Sequence, residues 1–247
     1  MVKEITLTLL LTTLVNGCEG MPPLGAEINK NDTTKINKND TTLINNHPTS
    51  LAGDTIYHRN GYSFSYSEKY EQPNWVHYTI TPEDLTCDVK AKRKNNFKKD
   101  NSVSTESATL KDYKGSGYDR GHLKASADES CDQQQMDETF LMSNMSPQDP
   151  RFNRGIWKKL ESHVRNLAST SDSIIVITGG DLSDSLEVIG DNRVGIPKFY
   201  FKVLYVFNGI NSDTIGYYLP NQKIEHDLNK YILTIEEIED KTEIIFP

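Results

Sequence analysis

Four stretches of the chain carry the hydrophobic pattern of β-strands. Residues 62–66 and 75–80 alternate between apolar or aromatic and polar positions, as strands with one buried face do. Residues 173–178 and 199–207 are nearly continuous apolar runs, and glycines 179 and 180 close the first of them. Such runs are typical of strands inside a sheet, so the pattern predicts two buried strands and at least two partly exposed ones.

The period changes between residues 153 and 174, where apolar side chains recur every three or four residues. These side chains are Ile156, Leu160, Val164 and Leu167. The spacing places them on one face of a helix. A second, short helix is predicted from residue 235 to about 241, because Thr234 and Glu237 have the spacing of a capping box.

The predicted strands and helices are mixed without regular strand–helix alternation, and no glycine-rich phosphate loop follows a strand. This order favours an α+β fold with a mixed, mainly antiparallel sheet over a doubly wound parallel sheet. The apolar fraction is 36%, and much of the deficit falls in the first fifty residues. One folded domain is therefore predicted over residues 55–247.

The first 18 residues read as an export signal. Lys3 precedes an apolar stretch over residues 5–15, which is too short to cross a hydrocarbon core of about 30 Å as a helix. A small residue before Cys18 also fits a lipoprotein processing site at which Cys18 is lipidated. The expected location is outside the cytoplasm, as a cell-surface or periplasmic lipoprotein or a secreted protein, with lipidation as the membrane contact.

Residues 19–54 are predicted to form a polar tether. The sequence Ile-Asn-Lys-Asn-Asp-Thr-Thr begins at Ile28 and again at Ile36. Such a segment cannot bury enough apolar area to offset the entropy of ordering it.

The net charge is −8, which at first sight argues against a polyanionic partner. Exposed charges are screened beyond about 10 Å at 0.1 M salt, however, so local placement matters more than the sum. One segment between Asp88 and Asp100 holds basic residues and no acid, namely Lys90, Lys92, Arg93, Lys94, Lys98 and Lys99. It is either a basic binding surface or a solvated loop.

Cys87 and Cys131 remain once Cys18 is set aside. They either form a disulfide or stay as two buried thiols. The sequence leaves both open, because a disulfide needs the two α-carbons within about 7 Å of each other.

Asp119, Arg120, Gly121 and His122 are consecutive and carry the most specific chemical signal. Histidine is a natural general base near neutral pH, with an ordinary pKa of about 6.5. Gly121 allows close approach of the backbone, and Arg120 adds a permanent cation. Alone, the motif would favour a structural ion pair between Asp119 and Arg120.

Asn153 and Glu161 strengthen the chemical reading. In a regular helix they lie about 12 Å apart and about 80° around the axis, so Glu161 would contact metal-bound water and not the metal. A single neutral amide ligand suits a hard ion such as Mg²⁺ that keeps most of its waters.

The same region holds an ordered series of motifs. They are Asp119-Arg120-Gly121-His122-Leu123, Thr139-Phe140, Ser143-Asn144-Met145, Pro147-Gln148, Asn153, Trp157 and Leu160-Glu161. This series resembles the signature of the DNA/RNA non-specific endonucleases, the ββα-metal or His-Me finger nucleases. The likeness covers roughly residues 55–247.

The resemblance implies a ββα active-site unit and a role for each matching residue. His122 would be the general base at the end of a strand, and Asn153 the one direct protein ligand of Mg²⁺, with Mn²⁺ as a substitute. Glu161 would hold metal-bound water and help protonate the leaving oxygen. Arg93 and Arg120 would contact or orient the phosphate. Asn144, Arg93 and Lys94 are predicted to bind substrate.

The resemblance also implies a function. It is metal-dependent hydrolysis of DNA and RNA, with little sequence preference, to leave 5′-phosphate and 3′-hydroxyl ends. The alternative is a surface nucleic-acid binding or uptake protein with a silent site, which the lysines between residues 90 and 99 favour. The sequence does not indicate an oligomeric state.

Overall fold

A computed structural model describes residues 46–50 and 55–247, and it confirms the α+β prediction. The strands are β1 (Thr49–Ser50), β2 (Ile56–His58), β3 (Ser63–Ser67), β4 (Gln72–Ile80), β5 (Asp119–His122), β6 (Met145–Gln148), β7 (Ser173–Gly180), β8 (Val188–Ile189), β9 (Val194–Gly195), β10 (Phe199–Asn208), β11 (Asn211–Pro220), β12 (Ile232–Leu233) and β13 (Ile244–Ile245). The α-helices are α1 (Pro82–Leu85), α2 (Leu110–Tyr113), α3 (Gln133–Glu138), α4 (Pro150–Phe152), α5 (Lys158–Ala168) and α6 (Ile235–Thr242).

Seven strands form the main sheet, in the order β12-β11-β10-β7-β4-β3-β2. Every neighbouring pair in it is antiparallel. Three small two-stranded sheets, β1–β13, β5–β6 and β8–β9, lie outside it. All four predicted strands belong to the main sheet, as β3, β4, β7 and β10.

The two apolar runs are the central strands, and both of their faces are buried. In β7, Ile174 and Val176 face a core on one side of the sheet, and Ile175 and Ile177 face a core on the other. Because side chains alternate along a strand, burial on both faces requires an apolar residue at almost every position.

One helix covers each face of the sheet. Helix α5 buries Leu160 and Val164 against the first core, where truncating a leucine to alanine typically costs about 2–5 kcal/mol. Helix α6 buries Ile238 in the second core. The predicted capping box is present, since Thr234 and Glu237 each accept a hydrogen bond from the other's backbone N–H.

The polypeptide leading into α5 is not a regular helix. Residues Asn153–Trp157 form a π-helical segment, and Gly155 has φ −104° and ψ −108° inside it. Such π-segments are frequent at functional sites. The helix predicted from residue 153 therefore becomes regular at Lys158.

The predicted boundary between tether and domain is too late by several residues. Strand β1 pairs with β13 through Thr49 and Ser50. His47 shares a hydrogen bond of 2.9 Å with His77 and stacks on Trp75. Residues 46–50 thus belong to the folded body, while the predicted export segment, Cys18 and the repeats lie outside the described residues.

The cysteines form the disulfide that the sequence left open. Cys87 and Cys131 are bonded, with their α-carbons 5.7 Å apart. The bond joins the segment after α1 to the segment before α3.

Across residues 46–50 and 55–247, none of the helices has the length and apolar character that spanning a bilayer would require.

Candidate active site

The site is built on a ββα unit made of β5, β6 and the helical stretch from Pro150 to Ala168. His122 ends β5, as predicted, and pairs with Met145 on β6. The indole of Trp157 donates a hydrogen bond of 3.2 Å to the backbone oxygen of His122. This bond ties the end of the strand to the start of the helix.

The environment of His122 keeps its imidazole neutral. Its ring packs edge-on against Phe140 at 4.8 Å and near Phe97 at 5.6 Å. Burial lowers its pKa to about 3, and the positive charges of Arg93 and Arg120 act in the same direction. Nε2 is buried and has no hydrogen-bond partner among the described residues. The residue is therefore present in the form that can accept a proton.

A carboxylate orients the side chain of Asn153. Its Nδ2 donates to Oδ2 of Asp119 at 2.9 Å, which leaves the amide oxygen as the atom available to a ligand. Asp119 also forms an ion pair of 2.7 Å with Arg154. The structural pair considered between Asp119 and Arg120 is thus not formed. Arg120 lies over the ring of Phe97 instead, 4.3 Å from its centre.

Glu161 lies on the first turn of α5 and lines the same cleft as His122. The predicted offset of about 80° around the helix axis between Asn153 and Glu161 assumed a regular helix. Because the segment is kinked at Gly155, that angle does not apply. Burial raises the pKa of Glu161, and nearby Asp128 raises it further. The positive charges of Lys202, Arg165 and Arg93 oppose this.

These residues surround a cleft of about 910 Å³. The charged side chains that line it are Arg93, Arg120, Arg154, Lys158, Arg165, Asp119 and Glu161. Five cations face two acids, so the cleft is locally basic although the chain carries a net charge of −8. A local basic surface was the expectation, and a polyanion can bind here.

Most of the predicted basic segment does not form this cleft. Arg93 lines it and donates to Oγ of Ser126 at 3.0 Å. Lys94 instead pairs with Asp137 at 2.8 Å, outside the cleft lining, and Lys99 pairs with Glu106. The cationic lining comes mainly from the ββα unit. The solvated-loop interpretation fits Lys94 and Lys99.

The prediction that Asn144 contacts substrate does not fit its position. Its side chain is fully buried, and its amide nitrogen donates to the backbone oxygens of Thr139 and Lys124. Its Oδ1 accepts from the backbone N–H of Lys124 at 3.0 Å. With both ends of the amide engaged, Asn144 braces the backbone just beyond His122.

Three charged cleft residues escaped sequence reasoning, namely Arg154, Lys158 and Arg165. Arg154 follows Asn153 directly, and Arg165 is one helical turn after Glu161, where it pairs with Asp128 at 2.9 Å. The spacing of four from Glu161 was a usable signal. The ion pair between Arg165 and Asp128 left no such signal, because 37 residues separate the two in the sequence.

The residues present fit a hydrated hard cation and not a closed metal site. Among the described residues, no group of three or more histidine, cysteine or acidic side chains is arranged to hold an ion. The side-chain oxygen donors that line the cleft are those of Asn153, Asp119 and Glu161, together with Asn95, Asn96 and Ser126. An amide with few carboxylates suits an ion such as Mg²⁺, which dehydrates reluctantly and keeps several waters.

An antiparallel sheet that carries a ββα unit around a basic cleft defines the class of ββα-metal enzymes. The sequence model of the DNA/RNA non-specific endonuclease family matches residues 39–247, and the chain belongs to that family. It is therefore a nuclease of a metal-dependent family with nucleic acids as substrates.

Individual relatives agree with this family. The chain is 34% identical over 202 residues to human Endonuclease G, mitochondrial, covering 76% of this chain and 68% of that protein. It is 33% identical over 210 residues to the mitochondrial nuclease of Saccharomyces cerevisiae, covering 76% and 66%. The crystal structure of the EndoG/EndoGI complex matches with a TM-score of 0.74 and 32% identity, covering 78% of this chain and 85% of that one.

These relatives overturn the predicted location. Human Endonuclease G and the yeast nuclease are mitochondrial by name, and neither is an exported lipoprotein. The predicted cell-surface, periplasmic or secreted location was therefore wrong, whereas lipidation at Cys18 stays a prediction, because Cys18 lies outside the described residues.

Proposed function

We propose that the protein hydrolyses phosphodiester bonds of DNA and RNA with Mg²⁺, with little sequence preference, and leaves 5′-phosphate and 3′-hydroxyl ends. The observation that supports this most is the convergence of His122, Asn153 and Glu161 on one basic cleft. Residues 46–50 and 55–247 would form the nuclease domain.

His122 would act as the general base. A water molecule would attack phosphorus while the imidazole takes its proton, and the bond between phosphorus and the 3′ oxygen would break. The lowered pKa of His122 keeps the ring unprotonated before substrate arrives. A bound phosphate would offset the positive charges of Arg93 and Arg120 and make the ring a stronger base.

Asn153 and Glu161 would manage the metal ion and the leaving group. When bound, Mg²⁺ would neutralise charge on the phosphoryl oxygens. Asn153 would hold it through its amide oxygen, and Asp119 would keep that amide oriented. Glu161, as a carboxylate, would contact its hydration waters and help one of them protonate the 3′ oxygen.

Arg93 and Arg120 would position the phosphate. Arg120 lies over the ring of Phe97, and Arg93 lies over the ring of Phe140, 5.2 Å from its centre. Among the described residues, neither guanidinium forms an ion pair with a carboxylate. Phosphate contacts carry no direct base information, which accounts for weak sequence preference. Lys94 would contribute at most at the rim of the cleft.

The test is digestion of a supercoiled plasmid and of a folded RNA with and without a chelator. We expect cleavage of both with Mg²⁺, none with chelator, and products that a 5′-phosphate-specific exonuclease degrades. The variant His122→Ala should lose activity about a hundred-fold or more. His58→Ala serves as the control, because His58 is exposed on β2.

Two results would contradict the proposal. One is cleavage by His122→Ala at the wild-type rate. The other is a folded wild-type protein that retains nucleic acid without cutting it, which would favour the binding protein with a silent site.

A further inference from the structure

A buried lysine lies beneath the candidate active site. Lys202 is on β10, within an apolar run, and only 1% of it is exposed. It pairs across the sheet with Thr178 on β7 and Tyr217 on β11. Among the described residues, no carboxylate lies within 4.0 Å of its Nζ. Burying an ammonium group without a direct ion pair costs several kcal/mol, so its presence calls for an explanation.

The contacts of Lys202 lead to both halves of the site. Its Nζ lies 4.7 Å from the ring centre of Trp157 and 3.5 Å from the backbone oxygen of Leu123. Leu123 directly follows His122. Trp157 is the residue whose indole bonds to the backbone oxygen of His122. Lys202 thus contacts the end of the β5 strand and the entrance of helix α5 at once.

The charges around Glu161 come from four elements. Asp128 lies in a turn before α3, Arg165 on the same helix, Lys202 on β10 and Arg93 in the segment after the disulfide. The phenol of Tyr78 on β4 donates to Asp128. Asp128 and Arg165 are paired with each other at 2.9 Å. Lys202 is therefore the buried cation near Glu161 that no acid already engages directly.

We propose that Lys202 is a positioning residue, which fixes the His122 strand end against the Glu161 helix and supplies the positive charge that balances the Glu161 carboxylate from beneath. This inference rests on the proposed function. Burial lowers the pKa of Lys202, while Glu161 and Asp128 act to raise it, which agrees with a mutual interaction. Lys202 does not line the cleft and would not touch substrate.

The main experiment compares Lys202→Met with Lys202→Arg. Methionine fills a similar volume without charge, and arginine restores the charge. For Lys202→Met we expect kcat to fall about ten-fold or more, while KM for a defined oligonucleotide changes little. The acidic limb of its pH–rate profile should move to higher pH, because Glu161 loses an opposing charge and takes up a proton more readily. Lys202→Arg should recover most of kcat and the wild-type limb.

A second readout does not depend on turnover. In the metal-free protein, the side-chain carboxyl carbon of Glu161 can be assigned by NMR through its loss in Glu161→Gln. Its titration midpoint should be about one pH unit or more higher in Lys202→Met than in the wild type.

Lys124→Met is the matched control. Lys124 is also 1% exposed, but its ammonium group pairs with Glu129 and donates to the backbone oxygen of Gly61, and it does not line the cleft. Its loss should lower stability without moving the acidic limb. If Lys202→Met fails to fold, Lys202→Gln replaces it, since glutamine can still donate to Leu123 but carries no charge.

The inference would be overturned if the wild type is active and Lys202→Met or Lys202→Gln leaves both the acidic limb of the pH–rate profile and the Glu161 titration midpoint unchanged. Lys202 would then be a packing residue. A wild type without chelator-sensitive cleavage would instead overturn the proposed function.

Discussion

At the scale of single residues, the site depends on side chains whose conformations are already fixed by hydrogen bonds and ion pairs within the protein. Asn153 is held by Asp119, which is itself held by Arg154. Asn144 is held at both ends of its amide. Fixing side chains before a ligand arrives lowers the entropy cost of binding and of reaction.

The amide of Asn153 leads to a prediction about the metal. Asn153→Ala should raise the Mg²⁺ concentration for half-maximal cleavage about ten-fold or more, because the expected protein ligand is lost. Cleavage measured across a Mg²⁺ titration checks this. Arg151→Ala is the control, since Arg151 is two residues away, exposed, and paired with Asp149. An unchanged titration in Asn153→Ala would place the ion elsewhere.

At the scale of elements, the segment carrying Arg93 has no regular structure and is attached at several points. The Cys87–Cys131 disulfide anchors its start. The backbone N–H of Ala91 donates to the Ser130 oxygen at 2.8 Å, and Lys92 and Gln133 exchange two hydrogen bonds. These contacts bind it to the turn before α3 and to α3 itself, which positions Arg93 at the cleft.

Removing the disulfide should weaken the fold more than the chemistry. The crosslink spans 44 residues, and chain entropy alone gives it about 4 kcal/mol. The double variant Cys87→Ala and Cys131→Ala should therefore unfold at lower urea concentration. Because Arg93 would be held less firmly, KM should rise more than kcat falls. Wild-type stability in the variant, measured without reductant, would contradict this.

At the scale of the whole molecule, a hydrogen bond between two histidines attaches the first described segment, residues 46–50, to the main sheet. His47 shares its hydrogen bond with His77, and that bond needs one ring nitrogen without a proton. Burial lowers the pKa of His77 to about 4, and the charge of His47 adds to this. The fold therefore contains neutral imidazoles where the unfolded chain would be charged below about pH 6.5.

This difference predicts a loss of stability in acid. The unfolded chain binds more protons than the folded one between pH 6.5 and 4, so the free energy of unfolding falls as pH drops through that window. His77 contributes on the order of 3 kcal/mol to the fall. In His77→Gln the slope of unfolding free energy against pH should be shallower, as urea denaturation at several pH values would show. His226→Gln, at an exposed position, controls for the loss of one imidazole. Equal slopes in wild type and His77→Gln would refute the assignment.

Local pattern was sufficient for much of the fold. Alternation and apolar runs identified β3, β4, β7 and β10, and helical spacing identified α5, because burial on a known face leaves a period in the sequence. The short strands β5 and β6 left no such period, and His122 was assigned to a strand end through a family resemblance. The disulfide remained open, because pairing depends on the distance between segments 44 residues apart.

The sequence by itself determined the chemical types at the site, since a base, an amide and a carboxylate are properties of His122, Asn153 and Glu161 as residues. Tertiary structure alone decided which side chains surround them. It buried Asn144 away from the cleft, turned Lys94 to Asp137, kinked the helix at Gly155 and brought Lys202 beneath the site. Burial and charge come from contacts between distant segments, and no local pattern encodes those contacts.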